Sequence, residues 1–177
     1  ESPENQFAIG QKLAVPFSKA ATLLGASEDM VPAVETAYQN LLAELDAHFA
    51  EHPALLGHQA TLADFGFIGP LYAHLYRDPT AGKLMRERAP NVTRWVEQLH
   101  FEPGPLRAPL DDGDSIPETL LPVLKRWARE MLPAMVDIAA HVSTWMADHP
   151  GETLPRAQGN HAFTLEGREG QRIIRPY

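Results

Sequence analysis

His48-Phe49-Ala50-Glu51-His52 spells H-x-x-E-H, the spacing at which two imidazoles one helical turn apart bind zinc and the glutamate between them activates a water. Pro53 follows directly, so the motif sits at the very end of its helix, and no second motif supplies a third ligand. Both histidines also flank Phe49, which belongs to an inward-facing stripe. That directs them to solvent or to the helix end, where a cation is favoured, and no metal site is assigned. Asp64 is an acid in apolar surroundings, but Thr61-Leu62-Ala63-Asp64 is a capping box. The Thr61 hydroxyl accepts from the first turn and the Asp64 carboxylate reaches back to the Thr61 N–H, so Asp64 is read as a cap rather than a catalytic carboxylate. Asn91-Val92-Thr93 matches a glycosylation acceptor but follows Pro90, where Asn and Thr are expected as helix caps. Ser2, Ser18, Ser27, Ser115 and Ser143 all lie outside the strained strand-to-helix elbow a nucleophilic serine needs, and no glycine-rich loop follows a strand. No catalytic residue is assigned.

The elements that hold these residues are helices. Val31, Val34, Tyr38, Leu41, Leu42, Leu45 and Phe49 recur at three- and four-residue spacing and define one apolar stripe, with Pro32 in the first turn. Upstream, Phe7, Gly10, Ala14, Phe17, Ala21 and Leu24 form a similar stripe that Pro16 should kink or split, with Gly25 as its stop. Leu62, Phe65, Ile68, Tyr72 and Leu75 mark the most buried helix. Gly66 and Gly69 near Pro70 predict close backbone contact with a neighbouring helix, since each glycine otherwise costs about 1 kcal/mol. Asp78-Pro79 and Pro90 each open a further helix. Residues 101–118, with four prolines, form a loop, and a long helix from Leu120 to Trp145 carries a kink at Pro133. Tyr38, Tyr72, Tyr76, Trp95, Trp127 and Trp145 fall at core spacing. After His149-Pro150-Gly151 the pattern alternates through Ala162–Glu166, turns at Glu169-Gly170 and continues through Arg172–Arg175, which predicts a small hairpin.

Composition narrows the function. At 177 residues, with 44% hydrophobic and 21% charged residues, the chain has the make-up of a soluble globular protein. It contains no apolar run near the ~20 residues of a membrane span. The absence of cysteine excludes disulfides, a catalytic thiol and thiolate metal sites, and fits a cytoplasmic location. A net charge of −8 argues against nucleic acid as a partner. The charge is uneven: residues 1–60 hold 8 acids and 2 bases, whereas residues 155–177 hold Arg156, Arg168, Arg172 and Arg175 against Glu166 and Glu169.

The apolar segment ending Leu55-Leu56-Gly57, followed by Thr61-Leu62-Ala63-Asp64-Phe65, resembles the centre of the all-helical C-terminal domain of cytosolic glutathione transferases. Gly69–Pro79, Ala89–Leu99 and Leu154–Gly167 extend the likeness to a bacterial branch of that superfamily. The resemblance implies an all-α fold, a glutathione-transferase C-terminal-like helical bundle over residues 1–150, with residues 151–177 as an extension that carries a small β-hairpin, a lid or brace over the helices. It also implies that the N-terminal thioredoxin-like domain, which binds glutathione and supplies the residue stabilising the thiolate, is absent from this chain. Glutathione is then co-substrate of the parent protein and not expected to bind this chain alone. The first helix of such a domain lines the pocket for a small hydrophobic electrophile, which nominates Phe7, Gln11 and Phe17 as substrate-binding residues. A homodimer follows by the same resemblance.

Two other readings remain open at this level. One is a non-catalytic helical interaction module reusing the same fold, which predicts an apolar patch away from the opening helix. The other is a small-molecule sensor with a closed internal cavity. The transferase reading predicts an exposed apolar face along the opening helix, where the thioredoxin-like domain packs.

Overall fold

The computed structural model describes residues 2–101, 115–153 and 158–174. These fall into two compact units, one of Tyr38–Arg126 and one of Glu1–Ala37 with Trp127–Tyr177. Helices dominate both, and no described helix is long and apolar enough to cross a membrane.

In the Tyr38–Arg126 unit the core is built by Leu42, Leu45 and Phe49 of α2 (Val31–Glu51), together with Leu55, Leu71, Met85, Val92, Trp95, Val96, Leu120 and Val123. Phe49 and Trp95 stack with ring centres 4.7 Å apart. The predicted stripe on α2 holds from Tyr38 onward. Val31 and Val34 are instead exposed, and Ala33 is the buried residue of the first turns. Helix α3 (Leu62–Ile68) continues as wider π-helical turns through Gly69–Tyr76. Pro70 lacks an N–H, so the ordinary ladder cannot run through it unbroken.

Two expectations for this helix fail. Leu62 is 89% exposed and Phe65 is also exposed; the buried residues are Asp64 and Leu71. The space a Cβ would occupy at Gly66 and Gly69 is open, with no neighbouring helix against it. The close approach occurs one helix later. In α4 (Pro79–Arg88) a Cβ on Gly82 would lie 2.1 Å from the Tyr76 carbonyl oxygen, so only glycine lets the chain turn this tightly. Asp78 caps α4 by accepting from the N–H groups of Thr80 and Ala81. The predicted cap on α5 (Pro90–Phe101) is replaced by one from another helix: Asp46 on α2 accepts from Asn91 N at 2.7 Å and from Val92 N at 3.3 Å.

In the other unit, α1 (Pro3–Leu23) starts at a Ser2 cap and runs on without a break through Pro16. Gly25 follows at φ +104°, a backbone conformation open to glycine. The long predicted helix divides at Met131 into α6 (Leu121–Glu130) and α7 (Leu132–Asp148), with Pro133 in the first turn of α7. Trp127 is exposed rather than core. Strands β1 (Gln158–Leu165) and β2 (Arg168–Ile174) form the hairpin. Its turn is Glu166-Gly167, both at positive φ, rather than Glu169-Gly170, which pairs within β2. The Phe163 ring covers Gly25 and Gly170, and a Cβ at either glycine would come within 3 Å of it. On the same face of β1, His161 reaches Asp137 of α7, and Arg168 donates to the Asp29 carbonyl.

Candidate functional site

Phe7, Gln11 and Phe17 all lie on α1, which buries no side chain at all. Phe7 is 68% and Phe17 is 78% exposed, and Ile9, Leu13 and Val15 are bare as well. Phe7 and Gln11 are one turn apart on one side of the helix, while Phe17 is further round its circumference. The structure therefore places the three on one element, and brings Phe7 and Gln11 together.

The capping box forms as expected but does more than start a helix. Asp64 is fully buried. One carboxylate oxygen accepts from Thr61 N at 2.9 Å and from the Thr61 hydroxyl at 3.1 Å. The other accepts from Leu55 N at 2.9 Å and from the Trp95 indole N–H at 3.3 Å. A single carboxylate thus ties α3, the Ala54–Gly57 turn and α5 to one point. Four donors are what make a buried carboxylate tolerable, and they leave it no free lone pair for chemistry.

Of the two histidines of H-x-x-E-H, His52 lies at the end of α2, half-buried, as the sequence places it, and His48 does not lie where expected. His48 is wholly buried rather than at a solvated helix end. Its Nδ1 lies 2.8 Å from the Thr119 hydroxyl and its Nε2 lies 3.1 Å from the Ala54 carbonyl. A carbonyl can only accept, so Nε2 carries the proton and Nδ1 accepts from Thr119. Burial pushes the ring's pKa below 6.5, outweighing the hydrogen bond to Ala54. Both nitrogens are engaged in structure. His52 stacks on His48 at 5.1 Å, and its Nδ1 is buried without a partner. Among the described residues no group of three or more His, Asp or Glu is arranged to hold a metal ion.

Two phenols are likewise committed. Tyr38 donates to the Ala81 carbonyl at 3.0 Å, and burial pushes its pKa to about 12. Tyr76 donates to Glu97 at 2.7 Å, a bond that raises its pKa as well. Neither is poised to ionise at neutral pH. Beside the end of α2 a cleft of about 290 Å³ is lined by Phe49, Glu51, His52, Asn91, Arg94 and Gln98 among others. Arg94 spans it, donating to the Phe49 carbonyl at 3.1 Å and to the Asn91 side-chain oxygen at 2.8 Å.

Sequence reasoning missed Asp46, Thr119 and Asp137. Each acts on a residue at least 24 positions away, and no local spacing marks such a partner. Asp137 holds His161 at 2.6 Å.

No curated protein and no solved structure matches the chain. Residues 7–103, which take in most of α1, the capping box, the Asp64–Trp95 bond and the Asp46 cap, match the family model described as glutathione S-transferase, C-terminal domain. The chain belongs to that family, and its Thr61–Asp64 capping box and the helices around it lie within the matched residues.

Proposed function

We propose that this chain is the electrophile-binding half of a glutathione-transferase-like enzyme. A thioredoxin-like domain, the usual companion of this family, would hold glutathione and supply the residue that stabilises its thiolate. The sulfur would then attack the electrophilic carbon of a small hydrophobic compound, forming an S–C bond as the leaving group departs with the bonding pair, or would take part in a related reduction or isomerisation. The enzyme would act in the cytoplasm as a homodimer.

The observation that carries this reading is the bare apolar surface of α1. A helix that buries none of Phe7, Ile9, Leu13, Val15 and Phe17 is shaped to meet something apolar. Phe7 and Phe17 would wall the cleft and the Gln11 amide would orient a polar substituent, the mix expected of a small-molecule pocket. Two titrations of the 177-residue chain test it. Calorimetry with glutathione should give no sub-millimolar binding. Heteronuclear NMR with a small aromatic electrophile such as chlorodinitrobenzene should move the signals of Phe7, Gln11 and Phe17. Sub-millimolar glutathione binding, or shifts confined to other helices, would overturn the reading.

A further inference from the structure

The last turn of α2 cannot complete its own hydrogen-bond ladder. Three of its carbonyls lose the donor four residues further on, each for a different reason. Pro53 has no N–H to offer Phe49. The Ala54 N–H turns to the Gly57 carbonyl at 3.1 Å instead of to Ala50, and the Leu55 N–H goes to Asp64 at 2.9 Å instead of to Glu51. Arg94 replaces the first of these donors through Nη2. Among the described residues nothing donates to the carbonyls of Ala50 and Glu51. They stand at the negative end of the helix, where a cation is favoured. Glu51 adds an exposed carboxylate there that forms no ion pair with any described group.

Ala50 and Glu51 line the cleft of about 290 Å³ that Arg94 spans. Arg94 commits one nitrogen only: Nη2 donates to Phe49 and Asn91, which leaves the N–H groups of Nε and Nη1 without a partner among the described residues. Gln98 also lines the cleft, one turn further along α5 on the face that carries Arg94. The cleft thus has acceptors from α2 and donors from α5.

We propose that this cleft binds a small zwitterion, a free α-amino acid with a short side chain. Its ammonium group donates to the Ala50 and Glu51 carbonyls and pairs with the Glu51 carboxylate. Its carboxylate accepts from the open N–H groups of Arg94 and from the Gln98 amide. An anion alone would face the negative helix end and Glu51, and a cation alone would face the guanidinium. A compound that carries both charges on one carbon meets each with its opposite. The volume lies at the low end of those that small-molecule sites occupy, which suits a compound of this size. Every residue of the site belongs to the Tyr38–Arg126 unit and none to α1, so the proposal stands apart from the transferase reading.

Heteronuclear NMR titrations of the full chain at fixed ionic strength test the site, with alanine as the zwitterion, ethylamine as the ammonium group alone and propionate as the carboxylate alone. Alanine should move the amide signals of Ala50, Glu51 and His52 and the Arg94 side-chain signal, with a Kd of about 1 mM, as expected of so few atoms. Ethylamine and propionate should each bind at least about tenfold more weakly, the worth of one lost charge-assisted hydrogen bond. Glu51→Gln, at an exposed position, should weaken alanine about tenfold as well. Arg94→Gln should do the same and leave ethylamine the better ligand, a reversal that loss of folding could not produce. No response to alanine at ~20 mM, shifts confined to other residues, equal binding of ethylamine and alanine to the unaltered chain, or alanine binding indifferent to both substitutions would each overturn the proposal. Neither α1 nor an electrophile enters these readouts, so alanine binding found alongside failed electrophile titrations sinks only the functional reading.

Discussion

The indole N–H of Trp95 donates to the buried carboxylate of Asp64, 3.3 Å away and 31 residues earlier in the chain. This bond makes the helix cap part of the core, because Trp95 also stacks on Phe49 of α2. Asp64→Ala should therefore cost more than a surface cap. It removes a cap worth about 1 kcal/mol and strands further buried donors at about 1–3 kcal/mol each, for a loss of at least about 3 kcal/mol. Trp95→Phe keeps most of the packing and should cost about 1–2 kcal/mol. The double mutant should lose less than the sum of the two, because both changes break one bond. Urea denaturation measures all three, and strict additivity would count against the coupling.

His48 supplies a pH dependence. Its folded pKa lies below the ordinary 6.5 because burial disfavours the charged ring. Between 6.5 and the folded value the unfolded chain takes up a proton that the folded chain refuses. Stability is therefore full above 6.5 and falls as the solution is acidified towards the folded value, at no more than ~1.4 kcal/mol per pH unit for one proton. His48→Gln should flatten that part of the curve. Identical pH profiles for the two proteins between about pH 7 and 5 would show that another group carries it.

Glycines 66 and 82 should respond in opposite directions to the same change. Gly82→Ala sets a methyl group against the Tyr76 carbonyl, and should destabilise by more than about 2 kcal/mol despite alanine's better helix propensity. Gly66→Ala meets open space and should stabilise by up to about 1 kcal/mol. Thermal melts of both variants decide the matter. A destabilised Gly66→Ala would mean that something packs on that face in solution.

Asp46→Ala should unfasten the start of α5. Its carboxylate serves the N–H groups of Asn91 and Val92 and the Asn91 side chain at 3.1 Å. Losing it should cost about 1–2 kcal/mol and raise hydrogen exchange at the first amides of α5 above that at its last. Uniform exchange along the helix would argue against a capping role.

The helices were legible because their signals are local. The Thr61–Asp64 box, the Asp78-Pro79 start and the Leu42–Phe49 stripe each depend on residues within two turns of one another. What spacing could not reveal was which side of a helix has a neighbour. Leu62 and Phe65 follow an inward-facing pattern yet lie bare, and His48 looks like a solvated helix-end residue until Thr119, 71 positions later, closes over it. The hairpin was visible as alternation, but its turn was misplaced. Glu169-Gly170 resembles a turn as strongly as Glu166-Gly167 does, and only pairing register separates them. For the candidate site, sequence singled out α1 by family likeness. The structure adds its lack of buried side chains, a property of what surrounds the helix.

The π-helical turns from Gly69 to Tyr76 hold one residue more per hydrogen-bonded loop than an α-helix does. Each such turn therefore rotates the chain by less per residue than the roughly 100° of an α-helix, so the extra residue is taken up in width rather than in a change of facing. Leu62 and Phe65 thus keep the side they would hold on a continuous α-helix. The lengthened stretch gives Pro70 a place in the helix without re-aiming the surface that precedes it.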